Sequence, residues 1–166
     1  MRLTESILAE LKQEAATTRK LLERVPQEAF AWKPHEKSMS LVQLAGHVAE
    51  LPSFIVGILN QDELDFSASE YKPTIPTSTA ELLEIFDKNI SNATNLLQNQ
   101  KEERLFDLWR LRDGEKIFFE MPRIAVIRSM TLNHLIHHRG QLSVYLRLQN
   151  VPLPSIYGPS ADEQVF

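Results

Sequence analysis

The chain has 166 residues, 43% hydrophobic and 24% charged, with no cysteine, five histidines and a formal net charge of -4. That length suits one domain over residues 1–166, able to bury roughly 70% of the unfolded surface without staples. The missing cysteines exclude disulfides, thiolate zinc sites and a cysteine nucleophile, while 18 basic against 22 acidic residues with no Lys/Arg block leave no footprint for nucleic acid.

Ile7, Leu8, Leu11, Ala15, Thr18, Leu22 and Val25 recur at helical spacing and predict a first helix that Pro26 ends. Its charges run throughout, so the N-terminus lacks the apolar region of a secretory signal. Residues 26–40, with Trp32 among prolines and serines, read as a loop. Ser40 and Gln43 have the spacing of a capping box, and Leu41, Leu44, Ala45, Val48, Leu51, Ile55 and Ile58 mark a second apolar stripe. The longest apolar run, Phe54 to Leu59, is far short of the roughly 20 residues that span a bilayer, so the expectation is a cytoplasmic protein with no membrane partner. Residues 60–78 read as a longer crossing without period.

Ser78 and Glu81 repeat the capping-box spacing, and Leu82, Leu83, Phe86, Ile90, Ala93 and Leu97 carry a third helix to about Gln100. Leu105 to Leu111 and Glu115 to Met121 flank Arg112, Asp113 and Gly114, and the Asp-Gly pair predicts a small β-hairpin. Pro122 suits the first turn of a fourth helix through Ile127, Thr131, Leu135, His138, Leu142 and Tyr145 to Asn150, stopped by Pro152. The tail, rich in proline, should lie over the helices. The fold class is therefore all-α: a four-helix bundle with a small β-hairpin before the last helix.

The chemistry concentrates in the histidines. His134 and His138 are one helical turn apart, so both imidazoles can turn a nitrogen toward one cation, although such a pair also occurs on solvated or core-packed faces. On a helical wheel, Ile127, Thr131, His134, His138, Gln141 and Tyr145 share an inward stripe. His47 lies inside the second apolar pattern and is also directed inward. Three buried neutral imidazoles leave several nitrogens to satisfy, and a shared metal satisfies one on each ring. Three nitrogen ligands with an open position would be a catalytic rather than a structural site.

Around these residues, Pro52 should kink the second helix just after His47, either widening the bundle beside the ligand or simply accommodating packing. Gly140 suggests close approach of another helix. Arg139 reads as an exposed helix arginine, with pairing to an acidic group or a substrate anion as the alternative, and Glu50 reads as a surface charge, with an orienting or proton-moving role as the alternative. His137 is offset from the stripe, and His35 lies in a polar loop without ligand spacing.

Trp32 to Pro34 (W-x-P), S-x-x-x-L-A-G-H-V ending at Val48, N-H-x-x-x-H-R-G-Q over Asn133 to Gln141, and the terminal P-S-I-Y-G-P-S-A-D-E together resemble the DinB-like, YfiT-related proteins over essentially the whole chain. The resemblance implies an up-down-down-up four-helix bundle, a homodimer, and a three-histidine metal site at His47, His134 and His138. It also implies a relation to metal-dependent transferases of low-molecular-weight thiols. The leading expectation is a metal-dependent enzyme holding Zn or Ni and transferring such a thiol to a small electrophile. A hydrolase using bound water and a non-catalytic helical stress or binding protein are the alternatives. With no cysteine in the chain, any thiol must arrive as a cosubstrate.

Overall fold

The structure is a computed structural model that describes residues 2–68 and 71–164. Positions 69–70 of the expected crossing and 165–166 of the tail lie outside the described residues. The molecule is mostly helical with a small three-stranded sheet. Helix α1 (Leu3–Leu22) and helix α4 (Thr79–Gln98) follow the expected periods, and α4 packs on α1. The expected second helix is two: α2 (Leu41–Glu50) and α3 (Ser53–Asn60), bent by 42° at Leu51 and Pro52. Pro52 has no N–H to continue the ladder, which is why the break falls there.

The Ser40 capping box forms in full: Gln43 N–H donates to Ser40 Oγ at 3.3 Å, and Ser40 N–H to Gln43 Oε1 at 2.8 Å. The second box is only half made. Glu81 N–H donates to Ser78 Oγ, but the Glu81 carboxylate turns to the N–H and hydroxyl of Thr77 instead.

Strands β2 (Leu108–Asp113) and β3 (Lys116–Pro122) form the expected antiparallel hairpin. Arg112 pairs with Ile117 and Asp113 with Lys116, so the loop residues are Gly114 and Glu115 rather than the expected Arg112, Asp113 and Gly114, and Leu105 and Phe106 lie in a short 3-10 helix (Glu102–Phe106) ahead of the strand. Gly114, at φ +58°, occupies the left-handed position that a side chain would strain. The crossing contributes an unexpected strand: β1 (Glu63–Asp65) adds parallel to β2, with Leu64 opposite Leu111. Asp65 Oδ1 accepts from Gly114 N–H at 3.0 Å and ties this edge to the hairpin turn.

The last helical stretch differs from expectation. Pro122 caps α5 (Arg123–Val126) rather than opening its first turn, residues Ile127–Asn133 form a π-helical segment, and only then does α6 (His134–Leu148) begin. The wider π turn breaks the 100° phase, so the expected inward stripe is displaced. The buried stripe of α6 is Leu135, Arg139, Leu142 and Leu146, while His134 and His138 lie along its edge and Gln141 is exposed. Gly140 is exposed with no atom within 4 Å of a Cβ built there, so no helix approaches it.

Two apolar clusters hold these elements. One joins the C-terminal half of α1 to α2, the start of α4 and α6; the other joins the N-terminal half of α1 to α3, the end of α4, Trp109 and the π segment. Each fully buried Leu or Ile contributes about 1.5–3 kcal/mol. No single helix among the described residues is long and apolar enough to cross a membrane. The bent α2–α3 pair has sufficient length and apolar character, but its apolar side chains lie in these clusters.

Arg139 is not the exposed helix arginine first expected but takes its alternative reading, pairing with an acidic group. It is 1% exposed and pairs with Glu14 Oε2 of α1 at 2.7 Å. It also donates to Thr18 Oγ1 and to the Tyr157 hydroxyl, and that hydroxyl donates in turn to Glu14. Farther along, Glu163 pairs with Arg24 and Asp162 with Arg147. These pairs fasten the tail across α1 and α6 as expected, with Arg139 as the buried anchor.

Candidate metal centre

The structure brings His47 of α2 together with His134 and His138 of α6, each ring offering one nitrogen within 4.8 Å of the others. The Nε2 atoms face one another: His134 to His138 at 2.8 Å and His134 to His47 at 3.5 Å. Tetrahedral ligands about 2.0–2.1 Å from a metal stand about 3.3 Å apart, a value these two separations bracket. His137 is exposed beside His138, and His35 accepts the Lys37 N–H in its loop, so both stay outside the group.

The outer nitrogens decide what the inner ones can do. His138 Nδ1 meets Gln141 Oε1 at 2.7 Å, which fixes its proton on Nδ1. His134 is hydrogen-bonded to the Met130 backbone, a carbonyl in the π segment where the ladder is widened. His47 Nδ1 stands 3.9 Å from Glu50 Oε2. With His134 and His138 protonated on the outside, their Nε2 lone pairs confront each other at 2.8 Å. A shared cation turns that repulsion into coordination, so the donor set fits a divalent metal, as amide, carbonyl and carboxylate partners commonly orient ligating histidines.

Burial lowers the pKa of all three histidines, and their mutual proximity lowers it further, while the Met130 and Gln141 hydrogen bonds oppose part of the shift. The rings are thereby biased toward the neutral form that a metal requires.

Glu50 is not the surface charge that its position suggested. Its side chain is 14% exposed, and it accepts the Tyr71 hydroxyl at 2.8 Å. Burial, and then this bond, push the Tyr71 phenol up to about 12. The sequence reading missed Tyr71, which comes from the unpatterned crossing. The role of Gln141 was legible in principle, because position i+3 on a helix faces its histidine. Gly46, one residue before His47, has its own reason: a Cβ there would stand 2.2 Å from the Thr74 carbonyl oxygen. Only glycine lets the crossing run this close over α2.

A cavity of about 530 Å³ opens beside His47 and His134, along the α2–α3 bend. The bend therefore does accompany a widening next to the histidines.

Known proteins resemble this chain over most of its length. YrdA of Bacillus subtilis strain 168, an uncharacterised protein, is 25% identical over 154 residues, covering 90% of this chain and 85% of its own. YjoA of the same organism, also uncharacterised, is 24% identical over 78% of this chain and 80% of its own. Among solved structures, a DinB-like protein from Bacillus cereus ATCC 10987 superposes with a TM-score of 0.71 at 23% identity, covering 92% of this chain and 97% of that one. The DinB-like YjoA structure from B. subtilis gives 0.70 at 19% identity over 97% and 99%. The DinB family model matches residues 1–164, and the chain belongs to the DinB family.

Proposed function

We propose that this chain is a metal-dependent enzyme in which His47, His134 and His138 hold a divalent transition metal, Zn or Ni, and which transfers a low-molecular-weight thiol to a small electrophile. The observation that carries the metal reading is the confrontation of the His134 and His138 Nε2 atoms while their outer nitrogens are engaged elsewhere. When bound, such a metal supplies a positive centre that lowers the pKa of a thiol or water held against it. The chain itself provides no thiol, so the sulfur enters with a cosubstrate.

The protein's own groups supply the rest. Gln141 and the Met130 backbone orient two rings, and Glu50 stands beside the third. The cavity beside His47 and His134 receives the electrophile. The Glu50 carboxylate, already bonded to Tyr71, favours a second reading, hydrolysis, in which it accepts a proton from water.

The same proposal takes the helices as an up-down-down-up four-helix bundle, places the protein in the cytoplasm and pairs it with a second copy of itself. Exposed Leu108, Ile117 and Phe118 on the sheet are the surface we assign to that pairing. A monomeric mass in sedimentation at micromolar concentration overturns the dimer.

Elemental analysis of protein purified without added metal tests the site. Stoichiometric Zn or Ni that is lost in His47→Ala, His134→Ala and His138→Ala supports it, and metal-free wild type overturns it. With the metal in place, thiol consumption across a panel of small electrophiles separates transfer from hydrolysis. No consumption overturns the transferase reading and leaves the metal centre standing.

A further inference from the structure

The three histidines are not equally supported from outside. His138 and His134 each have a hydrogen bond on the outer side, from which His47 Nδ1 differs: Glu50 Oε2 stands beside it at 3.9 Å, beyond hydrogen-bond reach. An imidazole that ligates through Nε2 carries its proton on Nδ1, and an acceptor there fixes the ring and raises its basicity as a ligand. Glu50 is therefore the group that completes His47.

Nothing local favours a carboxylate at this position. Glu50 is the last residue of α2, where the helix macrodipole opposes negative charge, and its side chain is 14% exposed. It pairs with no lysine or arginine among the described residues. Lys72 lines the same cavity and is itself engaged, but it forms no ion pair with Glu50. The hydrogen bond that Glu50 accepts comes from the Tyr71 hydroxyl at 2.8 Å. With its phenol pushed up to about 12, Tyr71 keeps this proton throughout the neutral range.

The placement of Tyr71 is itself set against α2. A Cβ at Gly46 would overlap the Thr74 carbonyl oxygen and stand 3.0 Å from Pro76 Cδ, so glycine lets this stretch of the crossing sit directly on the helix, one residue before His47. From that seat the Tyr71 hydroxyl reaches Glu50, one turn along the same helix.

We propose that Tyr71 is a positioning residue of the metal centre: its hydroxyl holds the Glu50 carboxylate beside His47 Nδ1, so that metal affinity depends on a residue bonded to none of the three histidines. The proposal rests on the reading of His47, His134 and His138 as metal ligands. Without the hydroxyl, the carboxylate stands in half-buried space with no donor, and it turns to solvent or takes a proton. Either change removes negative charge from the outer side of His47. Linkage is reciprocal, so a bond that strengthens metal binding is strengthened by the metal in equal measure.

Zinc affinity of the full chain, stripped of metal and titrated in competition with a chelator of known affinity, tests this in wild type, Tyr71→Phe, Glu50→Gln and the double variant. Tyr71→Phe should weaken zinc by about three- to tenfold, the usual worth of one hydrogen bond. The double variant should match Glu50→Gln within about twofold, because the hydroxyl acts only through the carboxylate. A phenol that merely packs would give additive losses. Lys72→Gln alters the neighbouring charge but keeps the bond, and it should not weaken zinc. The Tyr71 ring stays and is 50% exposed, so Tyr71→Phe should keep the melting temperature of the metal-free protein.

Hydrogen exchange gives a second readout. Zinc should slow exchange of the Tyr71 and Lys72 amides in the wild type and do so much less in Tyr71→Phe. Unchanged affinity in Tyr71→Phe, additive losses in the double variant, weakening by Lys72→Gln, or no slowing in the wild type each overturns the proposal. A wild type that binds no zinc overturns the metal reading and this proposal with it, whereas zinc binding that ignores Tyr71 overturns this proposal alone.

Discussion

Helix α6 carries two polar groups that are one residue out of step. Leu135 and Arg139 lie on the buried stripe, and His134 and His138 lie along its edge. Arg139 is surrounded by partners from its own chain: Glu14 and Thr18 from α1 and Tyr157 from the tail. The histidines have their outer nitrogens engaged, but on the inside they have only each other. The first network is closed and accounts for its own burial. The second is open toward a common point. Two clusters equally apparent as motif residues, N-H-x-x-x-H-R-G-Q, thus do different work, and the difference lies in where the last lone pairs go.

The closed cluster is most sensitive at Arg139. Arg139→Met leaves Glu14 buried without a counter-charge and should cost about 3–5 kcal/mol in urea unfolding. Adding Glu14→Met should restore most of that loss, because an apolar pair can replace a buried ionic one. Metal content per folded molecule should stay that of the wild type in the double variant. A loss of metal there would show that the two clusters are one.

Glu50→Gln probes the open cluster from outside. It should weaken metal binding by about 10–100-fold in a competition with a chelator of known affinity, while the unfolding midpoint of metal-free protein moves little.

Acidity distinguishes the clusters again. The three histidines have pKa values below the ordinary 6.5, so between their lowered values and 6.5 the unfolded chain binds more protons than the folded one. Metal-free protein should therefore lose stability as pH falls from about 6.5 through the lowered values, then level off with respect to these groups. Unfolding curves of a His47→Gln, His134→Gln, His138→Gln variant should lack this component. An unchanged slope would mean that the rings are not held neutral.

The smallest effect should come from Gly140→Ala, on the solvent face between the two clusters. A Cβ meets nothing there, so helix propensity alone should stabilise the protein by about 1 kcal/mol with metal affinity unchanged.

The sequence made the helices legible where periodicity and caps agreed, as in α1, α4 and the start of α2. It also marked the three histidines, because His47 sits in an apolar stripe and His134 and His138 are a turn apart. Arg139 stayed open between solvent and an acidic partner because Glu14 is 125 positions away, and no local pattern distinguishes a buried arginine from a solvated one. Strand β1 was illegible for a related reason: three residues carry too little alternation, and their partners lie across the chain in β2. The Asp-Gly signal found the hairpin but took Arg112 and Asp113 out of the strand, whereas both pair and the turn is made by Gly114, with its left-handed φ, and Glu115.

The π segment between Arg123 and His134 acts as a spacer in angle. Arg123 is locked to Leu108, Gln61 and Asp62 at the sheet, so the rotation accumulated across Ile127–Asn133 sets how the histidines are turned relative to the wall that holds Trp109. Each α-helical residue advances about 100°, so a chain one residue shorter in this stretch would dial the imidazoles away from His47 even with every side chain at the site intact. Here, the number of residues is itself part of the site.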